Sequence, residues 1–180
     1  MGRSGPVEPL VEPLTDGVVA LRPWRVSDLS AVAAASHDPK TRRWLDDPPM
    51  DESARSTRMS RGEEAWRTGR AAPLVIADAV KDEPVGVINL QFRDDHVGTV
   101  AYSVFPGLRG RGIAPRAVTL LAGWALSDRV GLTRLLLEAD AENTASVRVA
   151  EKCGFRPAGS RTEAGAGGPR TLLVFEYTGS

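Results

Sequence analysis

The stretch Pro106–Leu126, "PGLRGRGIAPRAVTLLAGWAL", decides the fold. It begins as a polar turn punctuated by glycine and ends apolar. Ile113, Ala117, Leu120, Leu121 and Trp124 recur at helical spacing, which predicts a helix from about Ile113 to Ser127 with one buried face. Arg109 and Arg111 alternate with Gly110 and Gly112 where that helix opens. A helix N-terminus presents unpaired N–H groups at the positive end of its dipole, so it favours an anion. Glycines before it let a phosphate approach the backbone. Pro115 has no N–H, so the donors must come from residues 110–114, and proline is well tolerated in a first helical turn.

A tight turn with solvated arginines is the plain alternative. Three sharper readings fail on spacing. A P-loop needs Gly-Lys-Ser/Thr at the helix start, and Gly112 is followed by Ile113 and Ala114. A dinucleotide fingerprint needs a small residue where Pro115 stands. Arginine–glycine RNA tails belong to disordered segments, not to the junction of a strand and an amphipathic helix.

Working outward, "TVAYSVF" before the turn reads as a strand, and "LVIAD" and "VGVINLQF" before that as a hairpin joined at "KDEP". "VVALRPW" is a strand ended by Pro23. Ser27 is the expected cap of a helix to about Ala35, closed by "HDPK". "DDPPM" is a breaker, and a polar helix carrying Met59 and Trp66 runs from Asp51 or Glu52 to Thr68. After the central helix come the buried strand "RLLLEAD", the short helix "SVRVAEKCGF" with Gly154 as its left-handed end, and two strands, "FRPAGSR" and "TLLVFEY". These elements predict one mixed α/β domain over residues 17–180 around a single sheet. Residues 1–16, with a doubled "VEPL", are expected to be a flexible arm, because their prolines suit neither a helix nor a central strand.

Composition narrows the partners. Lysine plus arginine equals aspartate plus glutamate, 23 each, so no net field draws the protein onto nucleic acid or an anionic membrane. The single cysteine, Cys153, excludes an internal disulfide and fits a reducing compartment. No signal peptide is evident, and the longest uncharged run, Ala117–Ser127, is too short to span a bilayer. A cytoplasmic protein is expected, without nucleic-acid or membrane partners. His37 and His96 form no metal or triad set with the cysteine, so no metal is expected. Oligomeric state stays open, a homodimer included.

The run R-G-R-G-I-A satisfies Arg/Gln-x-x-Gly-x-Gly/Ala directly after a strand, and "ENTASVRVAEKCGF" follows it downstream. Together they resemble the GNAT superfamily of acetyl-CoA-dependent N-acetyltransferases, in particular the Rim-type branch that acetylates ribosomal-protein N-termini. The resemblance covers about residues 17–178 and is strongest over 99–160. It implies a largely antiparallel sheet of about seven strands with helices on both faces. The fourth and fifth expected strands, "TVAYSVF" and "RLLLEAD", would be splayed apart. It also implies acetyl-CoA as cosubstrate and an amine as acceptor.

Carried over residue by residue, the resemblance lays the cofactor pyrophosphate on Arg109, Gly110, Arg111, Gly112, Ile113, Ala114 and Pro115. The pantetheine arm would pair with the backbone of Tyr102, Ser103 and Val104. Asn143 matches an asparagine that bonds the cofactor arm, with a helix cap as its structural alternative. Ser146 matches a position near the thioester sulfur or the phosphates. Arg148 and Lys152 could reach a 3′-phosphate, with a solvated helix face as the alternative, and Cys153 reads as a core residue.

Amine attack on a thioester needs a neutral amine, donors at the developing oxyanion and a proton for the leaving thiolate. The chain departs from the family here. Ala150 stands where many members have a tyrosine acid, and Thr99 where Rim-type members often have a glutamate base. Ser146, through water, remains as the acid. Asn89, Asp94, Asp95 and His96 remain for water-mediated base work. Without a strong base the expected acceptor is an α-amine, which at pH 7 is neutral on the order of 10% of the time, several hundredfold more than lysine. Two rivals stand beside this reading. One is a small-molecule N-acetyltransferase for an antibiotic, polyamine or amino acid, with Asp46, Asp47, Asp51 and Glu52 contributing an acidic slot for a polycation or else forming a solvated breaker. The other is a non-catalytic coenzyme A-binding protein. The loop Glu163–Pro169 is expected to be mobile and to close over the acceptor, with a glycine-rich hairpin tip as the plain alternative.

Overall fold

The computed structural model describes residues 2–45, 47–165 and 167–179. One sheet of eight strands runs in the order β1-β2-β3-β4-β5-β6-β8-β7. Its strands are β1 Leu14–Thr15, β2 Val19–Arg22, β3 Ala71–Asp78, β4 Pro84–Phe92, β5 Val97–Val104, β6 Arg134–Asp140, β7 Arg156–Gly165 and β8 Gly168–Tyr177. The helices are α1 Leu29–Ser36, α2 Pro39–Trp44, α3 Glu52–Arg67, α4 Ile113–Ala125 and α5 Thr144–Lys152. Every neighbouring pair is antiparallel except β5–β6. A parallel pair needs a crossover, and α4 supplies it.

Successive strand residues face opposite sides, so β4 separates the two layers. Ile88, Leu90 and Phe92 join the main core with Ala117, Val118 and Leu121 of α4 and Ala150 of α5. Val87 packs the other way, against a cluster holding Val32 and Ala35 of α1. Helices therefore cover both faces, as expected. At the end of α5, Phe155 N–H donates to Ala150 O and Gly154 N–H to Glu151 O, the paired bonds of a Schellman ending.

Three local readings change. "HDPK" does not merely close a helix: Asp38 accepts from Thr41 N–H and Pro39 occupies the first turn, so the same residues start α2. Ser27 does not cap α1. It lies in a 3-10 turn, Val26–Asp28, because the Asp28 carboxylate takes Arg25 N–H and a two-pronged contact from Arg22 at 2.8 and 2.9 Å. The segment Glu163–Pro169 follows the plain alternative rather than the mobile loop: it is the end of the β7–β8 hairpin, whose register continues to Gly165↔Gly168 and whose Glu163 binds Arg161 and Arg170. Ala166 lies outside the described residues.

The leading segment, expected to be a flexible arm, lies packed on the domain. The apolar residues of the first "VEPL", Val7 and Leu10, are buried, while Val11 of the second is 90% exposed. Val7 N–H donates to Trp66 O, Arg3 N–H donates to Gly69 O, and Leu14–Thr15 adds an eighth, edge strand to the seven expected. Prolines kept this stretch out of a helix, as argued, but not off the surface of the core.

Arg22 and Asp28 are 2% and 1% exposed, and Asp82 binds the Arg22 Nε at 2.7 Å from a half-exposed position. Removing one partner of a buried pair strands the other charge. Asp28→Ala is therefore expected to lower unfolding free energy by about 3 kcal/mol. Urea titration against the parent protein measures it, and a loss below about 1 kcal/mol would mean that Asp82 alone compensates Arg22.

Candidate functional site

The turn that opens α4 is built by its glycines. Gly110 and Gly112 have φ of 76° and 77°, the left-handed conformation that other residues adopt only with strain. Gly112 is the N-cap residue, so the chain enters α4 with no side-chain cap. Among the described residues nothing accepts from the N–H groups of residues 110–114; the first bond is Arg116 N–H to Gly112 O. A Cβ built on Gly110 or Gly112 would meet nothing within 4 Å. The result is a set of free N–H donors beneath open space at the positive end of a helix, which suits the pyrophosphate of a coenzyme A.

The two arginines of the turn differ. Arg111 is exposed and makes no ion pair among the described residues. Arg109 reaches away to α2, donating to Asp38 Oδ2 at 3.1 Å and Thr41 Oγ1 at 2.7 Å. The Thr41 N–H, and after it Arg109, hold the Asp38 carboxyl below its ordinary range. Arg109 thus ties the glycine turn to the start of α2.

The turn sits at the mouth of a slot in the sheet. β5 pairs with β6 only over Val97–Val100, opposite Arg134–Leu137. Beyond that, Ala101, Tyr102, Ser103 and Val104 stay paired to β4, but their β6-side edge is open while β6 turns to β8. A free strand edge can take an added extended chain. The residues expected to meet the pantetheine arm are those on this edge.

The Tyr102 side chain, on the α4 face, donates from its hydroxyl to Ser146 Oγ at 3.1 Å. Ser146 is held in turn by Asn143, whose Oδ1 accepts from Ser146 N–H at 3.2 Å as the cap of α5. Burial pushes the Tyr102 phenol up, against the Ser146 contact. The phenol therefore stays protonated through neutral pH. Sequence reading placed Tyr102 here for its backbone alone. The alternation of Val100, Tyr102 and Val104 on one face was the available sign that its side chain enters the slot.

The other candidates separate. Thr99 is 7% exposed and accepts from Arg93 Nε at 2.9 Å, and Ala150 is fully buried. Asn89 faces the side away from α4, register-paired with Ala101 at the head of the open edge. Among the described residues its buried Oδ1 has no hydrogen-bond partner. Asp94, Asp95 and His96 build the far β4–β5 turn, Asp94 accepting from His96 and Val97 N–H and Asp95 binding Ser4. Asp51 caps α3 through Ala54 N–H, Glu52 is exposed in its first turn, and Asp46 lies outside the described residues. Arg148 and Lys152 are exposed on α5. Cys153 donates to Pro115 O at 3.4 Å, and burial raises its thiol, so it ties α5 to α4. Among the described residues no cluster of three or more His, Cys, Asp or Glu could hold a metal, and no helix is long and apolar enough to cross a membrane.

The family described as Acetyltransferase (GNAT) domain matches residues 19–156. Mycobacterium smegmatis RimJ in complex with CoA-disulfide superposes with a TM-score of 0.80 at 26% identity, over 93% of this chain and 86% of that one. RimL, a ribosomal L7/L12 alpha-N-protein acetyltransferase solved with coenzyme A, gives 0.82 at 17% identity over 93% and 98%. The ribosomal-protein-S5-alanine acetyltransferase of Vibrio fischeri gives 0.78 at 18% over 93% and 96%. No curated protein sequence matches the chain.

The open space above the turn means that a larger side chain blocks the cradle rather than the fold. Gly112→Glu is expected to weaken acetyl-CoA binding at least tenfold by calorimetry, while costing roughly 1–2 kcal/mol of stability for its left-handed backbone. Equal binding by a folded variant would separate the turn from the cofactor.

Proposed function

The chain belongs to the GNAT acetyltransferase family, and from that premise we propose that it transfers the acetyl group of acetyl-CoA to an α-amine at a peptide or protein N-terminus. The observation that carries this reading is the continuity of three features: the unpaired N–H cradle of residues 110–114, the open β5 edge from Val104 to Ala101, and Asn89 beside Ala101 on the opposite face. A thioester laid along the edge would end where an acceptor could approach from the Asn89 side. Acetyl-CoA supplies an activated acyl carbon and a thiolate leaving group.

The chain's own residues then divide the proton work. On the slot side, Ser146 protonates the leaving thiolate, directly or through water, and Tyr102 restores the proton through its 3.1 Å contact. The proton that the amine loses as the C–N bond forms passes to water and recharges the Tyr102 phenol. On the acceptor side, Asn89 lines the approach beside Ala101, and its amide turns to accept an N–H of the incoming amine and orient its lone pair. Neither Thr99, engaged by Arg93, nor any carboxylate beside it supplies a strong base. Such a site favours an amine that is already partly neutral at pH 7, with pKa about 7.8 rather than about 10.4. The likeness to RimL, a ribosomal L7/L12 alpha-N-protein acetyltransferase, supports the same acceptor class.

A peptide with a free N-terminus is expected to be acetylated at least tenfold faster than a matched peptide whose only amine is lysine. A faster lysine reaction would overturn the acceptor assignment. For proton supply, Ser146→Ala is expected to lower kcat about a hundredfold with acetyl-CoA affinity kept. The rate should rise with pH as the α-amine deprotonates near pH 8 and should not fall before about pH 10, because burial holds the Tyr102 phenol protonated. A fall in kcat between pH 7 and 9 would exclude Tyr102 from the proton path.

A further inference from the structure

On the face that carries Asn89, a groove of about 410 Å³ runs between α3 and the β3–β4 hairpin. Arg58 and Arg61 of α3, Arg70 just before β3 and Arg93 just after β4 line it, with Asn89 and Pro73 on its floor. Among the described residues none of the four arginines makes an ion pair, unlike Arg22, Arg109, Arg116 and Arg161. Arg58 lies over the Trp24 ring at 4.1 Å, and Arg93 donates to Thr99. The nearby carboxylates leave the concentration of charge in place. Asp47 attracts Arg58 from a distance, and Glu64 is bound by Arg67 while attracting Arg70 more weakly, without a direct contact. Burial first, and then the like charge of Arg61, pull the Arg58 guanidinium below its ordinary range despite Asp47. In a chain with 23 basic and 23 acidic residues, the groove is locally cationic by arrangement rather than by composition.

The cations are spread out rather than converging on a point. Arg58 and Arg61 stand one helical turn apart, and from Asn89 to Arg93 the β4 backbone advances about 13 Å, the length of four extended residues. A single phosphate would need converging donors. A short extended chain with several carboxylates matches the spacing. We propose that this groove selects acceptors whose N-terminal amine is followed by an acidic segment, the amine reaching Asn89 and Ala101 while the carboxylates lie among Arg58, Arg61, Arg70 and Arg93. This rests on the reading of the site as an N-terminal acetyltransferase.

The test uses three peptides of equal length with the same first residue, followed by four acidic, four neutral or four basic residues. Binding is followed by fluorescence anisotropy of C-terminally labelled peptides, and turnover by thiol release from acetyl-CoA. The acidic peptide is expected to bind, and to lower KM, at least tenfold relative to the neutral one at low salt, with the gap closing at 0.5 M salt. Arg61→Gln/Arg70→Gln, both exposed positions, should remove the gap while leaving acetyl-CoA affinity unchanged. Equal binding of acidic and neutral peptides, or a gap that survives in the double variant, would overturn the groove's role. Acetylation of the neutral peptide would then leave the acetyltransferase reading standing. Selective binding of the acidic peptide without turnover would support the groove and overturn N-terminal acetylation instead.

Discussion

Everything at the site follows from one short parallel contact. β5 and β6 share four register pairs, Val97–Val100 against Arg134–Leu137, and then part. Two parallel neighbours cannot be joined by a hairpin, so the chain must leave the end of β5, cross a face of the sheet and return. α4 is that crossing. Its first turn therefore lies at the end of β5, beside the gap where pairing stops. An anion cradle and an open strand edge come out adjacent because the same connection makes both.

The gap persists because each flank is committed elsewhere. β4 holds β5 through Val104, and β8 holds β6 through Asp140. Tyr102 spans the space at 3.1 Å from Ser146 without closing the backbone edge. Arg109 bound to Asp38 and Thr41, and Cys153 against Pro115 O, pin the glycine turn from α2 and α5. An exposed turn with three left-handed glycines, Gly107, Gly110 and Gly112, would otherwise have little to define its shape.

How much of this the sequence carried depends on range. Strands β2 to β6 and helices α3 to α5 were legible because apolar periodicity and caps are local properties, and the R-G-R-G-I-A run revealed the cradle because it is contiguous. α2 was not legible, since Asp-Pro reads both as a stop for one helix and as the start of the next, and only the Thr41 N–H decides. The packing of Val7 and Leu10 was hidden behind prolines that correctly excluded a helix. Pairings across the fold, Tyr102 with Ser146 and Arg109 with Asp38, leave no trace in spacing. The arginine groove is the extreme case, because its four residues come from three separate segments and vanish in a net charge of zero.

The leading segment connects to that groove. Arg3 and Val7 donate backbone N–H groups to Gly69 and Trp66, the residues where α3 hands over to β3, and Arg3 stacks on Phe92 at 5.5 Å. Trp66 in turn meets Trp124 of α4 with ring centroids 5.9 Å apart. The angle at which α3 overhangs the sheet is thus fixed from outside by the leading segment and from inside by the crossover helix. Arg58 and Arg61 ride on that helix, and Arg70 and Arg93 on the strands beneath it, so the width of the groove is a packing quantity rather than a loop conformation. Side chains that must meet successive charges on an extended chain need such a frame, because a fixed array loses less entropy on binding than arginines free to search.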